Sequence, residues 1–165
     1  MNRQGCSQAT FNSVSETLGF KNELLFKCVH ALEGGGAGTS ECSCGAFSGS
    51  LVAVSYFFGR SYKLWDERKI DMKAILIGQK IYRRFIDKYN SAICKEIQIK
   101  KFGRSFNFMD ENDLKIFEEM GGHERICPTV VGLASTWVIE ILWKEITKDK
   151  DISKIVSREE AIRNF

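Results

Sequence analysis

Asp66 to Tyr89 reads DERKIDMKAILIGQKIYRRFIDKY, and its charged and apolar residues alternate at helical spacing rather than with the two-residue period of a strand. The pattern predicts one long amphipathic helix, wet on one side and apolar on the other. The same spacing governs the rest of the chain. Period-2 alternation is almost absent and Pro128 is the one proline, so the sequence predicts an all-α, single-domain bundle of about six to eight helices.

Working outward towards the N-terminus, CSQATFNSVSETL predicts a helix from Cys6 to about Leu18, closed by Gly19, and KNELLFKCVHAL a second from Lys21 to Leu32. EGGGAGTSEC, residues 33–42, is a loop, because four glycines in five positions hold a helix poorly. A third helix runs from about Cys44 to Phe58 and stops at Gly59. Towards the C-terminus, NSAICKEI predicts a short helix capped by Asn90 or Ser91, and DENDLKIFEEMGG another with an acidic start and a glycine stop. A further helix begins at Cys127 and Pro128, where proline suits the first position, and extends to about Thr147. Residues 148–165 read as a peripheral tail, with Ser157 and Glu160 spaced as a capping box.

With 44% hydrophobic and 12% aromatic residues, 165 residues suffice for one core without disulfides or metals to hold it. The net charge of +3 is spread over 24 basic and 21 acidic side chains with no dense basic cluster, so no nucleic-acid partner is expected. The runs GAFSGSLVAVSYFFG and ICPTVVGLASTWVIEILW fall short of the roughly 20 clean apolar residues of a bilayer span and read as buried core helices. MNRQGCSQAT lacks the apolar segment of a secretory signal, so the expected location is the cytoplasm. Six cysteines in that compartment point to metal binding or redox chemistry rather than to structural disulfides.

Cys6, Cys44, Cys94 and Cys127 each fall at or within the first turn of an expected helix. Unpaired N–H groups and a partial positive charge at such a place favour a thiolate and predict a lowered thiol pKa. Four thiolates repel one another unless something positive sits among them, and a metal ion or iron–sulfur core does so effectively. The plain alternative is that cysteine is a small core residue, which suits Cys28 beside Leu24 and Leu25. No C-x-x-C occurs, so neither a zinc ribbon nor a thioredoxin motif is written locally, and any shared site must be assembled from distant segments.

Cys6 in GCSQAT, the glycine-rich EGGGAG, CGAFSG from Cys44 to Gly49, Cys94 in AICKEI and Cys127 in RICPTVV together resemble a bacterial and archaeal family of redox-active proteins named for four cysteines. One of the four lies in a Cys-Gly-Ala-x-x-Gly motif, and the likeness covers roughly residues 5 to 143. The resemblance implies an all-helical redox protein in which Cys6, Cys44, Cys94 and Cys127 are the functional set. Similar domains accompany the split-Soret cytochromes, where four such cysteines are tied to an iron–sulfur centre. The family's usual Asn-Cys-Ala-Gln start is Gly5-Cys6-Ser7-Gln8 here, the basic residue often found after its glycine loop is missing, and Cys28 and Cys42 are additional.

Gly45, Gly49 and Ala53 fall at four-residue intervals on one helical stripe, where they allow either a neighbouring helix or a bulky cluster close to the backbone. GGGAGTS lacks the Gly-Lys-Ser/Thr ending of a phosphate loop, but the N–H groups of Gly34, Gly35 and Gly36 could cradle an inorganic cluster as a nest does. His123, four residues before Cys127, reads as a solvated helix-start residue or a substitute ligand. Asp110, Glu111 and Asp113 complement a helix dipole, and Tyr82 to Phe85, YRRF, is the wet face of its helix.

The expected function is redox: four thiols binding an iron–sulfur cluster for electron transfer or redox sensing, with a redox partner protein and a homodimer as reasonable company. A metal-free thiol/disulfide protein, with Cys42 or Cys44 exchanging with another of the set, and a non-redox structural protein are the alternatives. No catalytic residue is assigned.

Overall fold

The computed structural model describes residues 5–148. They form eight α-helices and, among the described residues, no strand longer than one isolated bridge. The tail expectation for 149–165 lies outside the described residues.

Helices α1 (Cys6–Leu18), α3 (Gly45–Phe58), α5 (Lys73–Tyr89) and α8 (Cys127–Lys148) form the bundle, with α1 packed on α3 and α8, α3 on α5 and α8, and α5 on α8. The apolar stripe of α5 is Ile77, Ile81, Phe85 and Tyr89, one residue every four, all buried. It meets Ala53 and Val54 of α3 and Val130, Ala134, Val138 and Leu142 of α8 in one core with Phe11 and Val14 of α1. Burying each large apolar side chain contributes roughly 1.5–3 kcal/mol. The helical run from Gly122 to Lys148 is long and apolar enough by length and composition to cross a membrane. Within this fold its Val130, Ala134, Val138 and Leu142 are core residues.

The long helix expected from Asp66 starts seven residues later. A short α4 (Tyr62–Asp66), capped by the Ser61 side chain, precedes it, and α5 starts only at Lys73. Between them Arg68 takes a left-handed backbone (φ 53°) and the Asp71 carboxylate accepts the Lys73 N–H. The expected second helix is also shorter: α2 (Glu23–Cys28) is capped by Asn22 and gives way to a 3-10 turn, His30–Leu32. The short helix after Asn90 is α6 (Cys94–Phe102), but neither Asn90 nor Ser91 caps it: Asn90 is the left-handed C-cap of α5, the Ser91 hydroxyl accepts the Ile93 N–H, and Ile93 stands at the N-cap. Helix α7 (Glu111–Glu119) is capped by Asp110, whose carboxylate accepts two backbone N–H groups. A π-helical turn, Gly122–Ile126, joins α7 directly to α8.

Helices α6 and α7 carry a second, smaller apolar centre. Phe102, Phe106, Phe108 and Phe117 contact one another edge-on or tilted with ring centroids about 5 Å apart, and His123 lies against Phe117 at 4.9 Å.

Candidate functional site

Cys6 and Cys94 are each the first residue of their helix and Cys44 is the N-cap of α3, as the sequence suggests; Cys127 opens α8 but continues the helical run from Gly122, and its N–H donates to the Gly122 carbonyl, so the unpaired helix-start N–H expected there is absent. Three devices bring them together. The first is the isolated bridge between Ser43 and Ile93, in which Cys44 N–H donates to the Ala92 carbonyl (2.8 Å) and Cys94 N–H to the Cys42 carbonyl (2.9 Å). It sets the starts of α3 and α6 side by side. The second is the close approach of α3 to α1: a Cβ on Gly45 would overlap the Cys6 sulfur, and one on Gly49 would overlap the Ser7 carbonyl. The third is the π-helical turn, which delivers Cys127 to α8 with Gly122 pressed so closely on the Phe117 ring that no Cβ fits between them.

Each of the four sulfurs lies within electrostatic reach of the other three. All six cysteines are free thiols; Cys44 and Cys94 are buried, Cys6 and Cys127 half-buried, and Cys28 and Cys42 exposed. The expectation of lowered thiol pKa values at helix starts is overturned. Burial, which strips water from the anion, raises all four and outweighs the helix-end N–H groups. Cys94 is pushed up to about 12, first by burial and then by Cys6 and Cys127, with Gln98 and Ser40 opposing. At Cys6 the N–H groups of Gly34, Ser7 and Gly45 oppose burial, and at Cys44 those of Ala46 and Phe47. Cys127 has the carboxylate of Glu118 near it, which adds to burial and to the charges of Cys44 and Cys6.

The glycine loop divides its work. Gly34, Gly35, Gly36 and Gly38 all have positive φ, so the loop folds through a region that side chains rarely enter. The Gly34 N–H points at Cys6, Gly35 packs on the Cβ of Cys94 and on Ser40, and Gly36 faces Cys42 instead. Gly45 touches the site, whereas Gly49 serves helix packing through Ser7.

Gln98 is the side chain that sequence reading missed. Buried at 3% exposure, it donates to the Cys94 sulfur (3.4 Å) and to Ser40 Oγ (3.0 Å) and accepts the Phe106 N–H (2.8 Å), while Ser40 Oγ donates to the Phe106 carbonyl. Its position four residues after Cys94 was the available signal. His123 is not a free helix-start residue: its Nδ1 is 2.7 Å from Glu118 Oε1 and its ring packs on Phe117.

Among the described residues no group of three or more His, Cys, Asp or Glu side chains is gathered closely enough to hold a single metal ion. The four thiols nevertheless gather at one place. All four are free, Gly45 lets the Cys6 sulfur lie against the backbone at the start of α3, and the buried Tyr89 hydroxyl, within electrostatic reach of Cys44 and Cys127, has no hydrogen-bond partner.

The described residues form a helical bundle that brings four free cysteines to one place. The family described as "Putative redox-active protein (C_GCAxxG_C_C)" matches residues 5–141, and the chain belongs to it. No curated protein and no solved structure matches the chain.

Proposed function

We propose that Cys6, Cys44, Cys94 and Cys127 ligate an iron–sulfur cluster and that the protein serves electron transfer or redox sensing. The observation that supports this most is the mutual approach of four unbridged thiols from α1, α3, α6 and α8. Their burial makes each anion costly on its own, so the set favours an occupant carrying positive charge. Four cysteine thiolates are the usual ligand set of such a cluster. When bound, such a cluster supplies a one-electron couple. The chain's part is to exclude water around Cys44 and Cys94, direct N–H groups at the sulfurs, and leave the half-buried Cys6 and Cys127 side as the electron path. On this reading the protein works in the reducing cytoplasm with a redox partner protein, alone or as a homodimer.

Anaerobic purification, reconstitution with iron and sulfide, and metal analysis with absorption and electron paramagnetic spectra test the proposal. Iron and sulfide bound with a visible absorption band are expected; a colourless, iron-free protein after reconstitution would overturn it. Cys42 favours the metal-free thiol/disulfide reading, because its exposed thiol sits on the segment whose carbonyl takes the Cys94 N–H. In that case mass spectrometry with and without reductant shows a reversible loss of two hydrogens.

A further inference from the structure

Tyr89 ends α5 at 2% exposure, held between Phe85 and Trp137 at ring-centroid distances of 5.8 and 6.5 Å. Its hydroxyl and that of Ser135 are the two buried side-chain polar atoms without a partner among the described residues. An unpartnered buried hydroxyl destabilises the fold, and phenylalanine fills nearly the same space without it. The surroundings on the bundle side are apolar, while Cys44 and Cys127 lie within electrostatic reach of the hydroxyl. Three residues further on, the Ala92 carbonyl takes the Cys44 N–H, so one segment carries the hydroxyl and anchors the cysteine.

We propose that the Tyr89 hydroxyl is a hydrogen-bond donor reserved for the occupant of the four-cysteine site, donating to a sulfur on the Cys44 and Cys127 side. The inference rests on the cluster reading above. The other sulfurs already have donors in the protein: backbone N–H groups at Cys6 and Cys44, and Gln98 at Cys94. Cys127 has the negative charges of Cys44, Cys6 and Glu118 near it. A donor added there stabilises the more negative, reduced form of an iron–sulfur centre and so raises its reduction potential. Tyr89 is thus a positioning and tuning residue: it takes no electron or proton itself.

The test compares wild type, Tyr89→Phe and Ser135→Ala, each metal-free and reconstituted with iron and sulfide without oxygen. Ser135 is eight residues along α8 from Cys127, about 12 Å away at 1.5 Å per residue, and serves as the control for an unpartnered hydroxyl away from the site. Both variants are expected to melt higher than wild type when metal-free, because each loses a buried hydroxyl without a partner. After reconstitution, Tyr89→Phe is expected to bind wild-type amounts of iron and sulfide but to show a more negative midpoint potential, with Ser135→Ala unmoved. A Tyr89→Phe protein with full iron content and an unchanged potential overturns the assignment of Tyr89 alone. Failure of wild type to take up iron and sulfide overturns the cluster reading itself, and this assignment with it.

Discussion

A methyl group added at Gly45 has no room: it would overlap the Cys6 sulfur and press on the Ser7 nitrogen and the Glu33 Cα. Gly45→Ala is therefore expected to destabilise the metal-free protein by about 1–3 kcal/mol, as overpacking does, and to lose iron and sulfide binding. Gly132, in α8 with nothing near its Cβ position, is the matched control: Gly132→Ala is expected to add about 0.5–1 kcal/mol and to bind iron as wild type does. Urea denaturation and iron analysis of both variants check the pair. The thiols themselves make stability depend on alkaline pH. Burial raises Cys94 from its ordinary value of 9.0 to about 12, so between these values the unfolded chain holds fewer protons than the folded one. Stability from this group is complete below pH 9 and is lost as pH rises towards 12. The melting temperature of reduced, metal-free protein should fall above pH 9, and less steeply in Cys94→Ser; identical slopes in the two would refute the account.

At the scale of elements, the starts of α1 and α8 were legible because Gly5 precedes the one and Pro128 stands in the first turn of the other, whereas the start of α6 at Cys94 follows Ile93 and uses no polar cap. The break before α5 was not. Glu67 to Met72 continues the periodic pattern, yet Ile70 and Met72 are 84% and 46% exposed: periodicity shows which residues could face a core, not whether a core is there. The bridge at Ser43 and Ile93 and the π-helical turn were equally hidden, since a single pair of residues has no period and an extra residue in a turn leaves no compositional mark. These unreadable elements are the ones that bring Cys44 to Cys94 and Cys127 to the set. Gln98 shows how much the α6 start depends on them, because it ties Cys94 and Ser40 to the Phe106 backbone. Gln98→Leu should leave the buried Phe106 N–H without an acceptor and lower stability by about 1–3 kcal/mol, with faster amide exchange at Phe106. Gln98→Glu keeps an acceptor for that N–H but loses the donor to Cys94, so Phe106 exchange should stay slow.

For the whole molecule, the four sulfurs come from segments spread between residues 6 and 127, two on α1 and α3 of the main bundle, one on α6 and one where the π-helical turn meets α8. A group bound by all four would tie the bundle to the smaller phenylalanine centre of α6 and α7, and anything that binds the folded state alone raises its stability by mass action. Reconstituted protein is therefore expected to melt above metal-free protein, with chelation reversing the gain. The ligand set itself separates by substitution. Cys6→Ser, Cys44→Ser, Cys94→Ser and Cys127→Ser should each lose most of the bound iron and the added thermal stability, while Cys28→Ser and Cys42→Ser keep both, because these two thiols are exposed whereas the four lie within reach of one another. Loss of iron in Cys42→Ser with retention in Cys44→Ser would move the ligand to the other sulfur of the Cys42-Ser43-Cys44 pair. That result would require the bridge at Ser43 to open, since it now fixes the backbone of Cys42 and Cys44 on opposite sides of the Ser43 and Ile93 pair, with Cys44 turned into the core and Cys42 out towards Gly36.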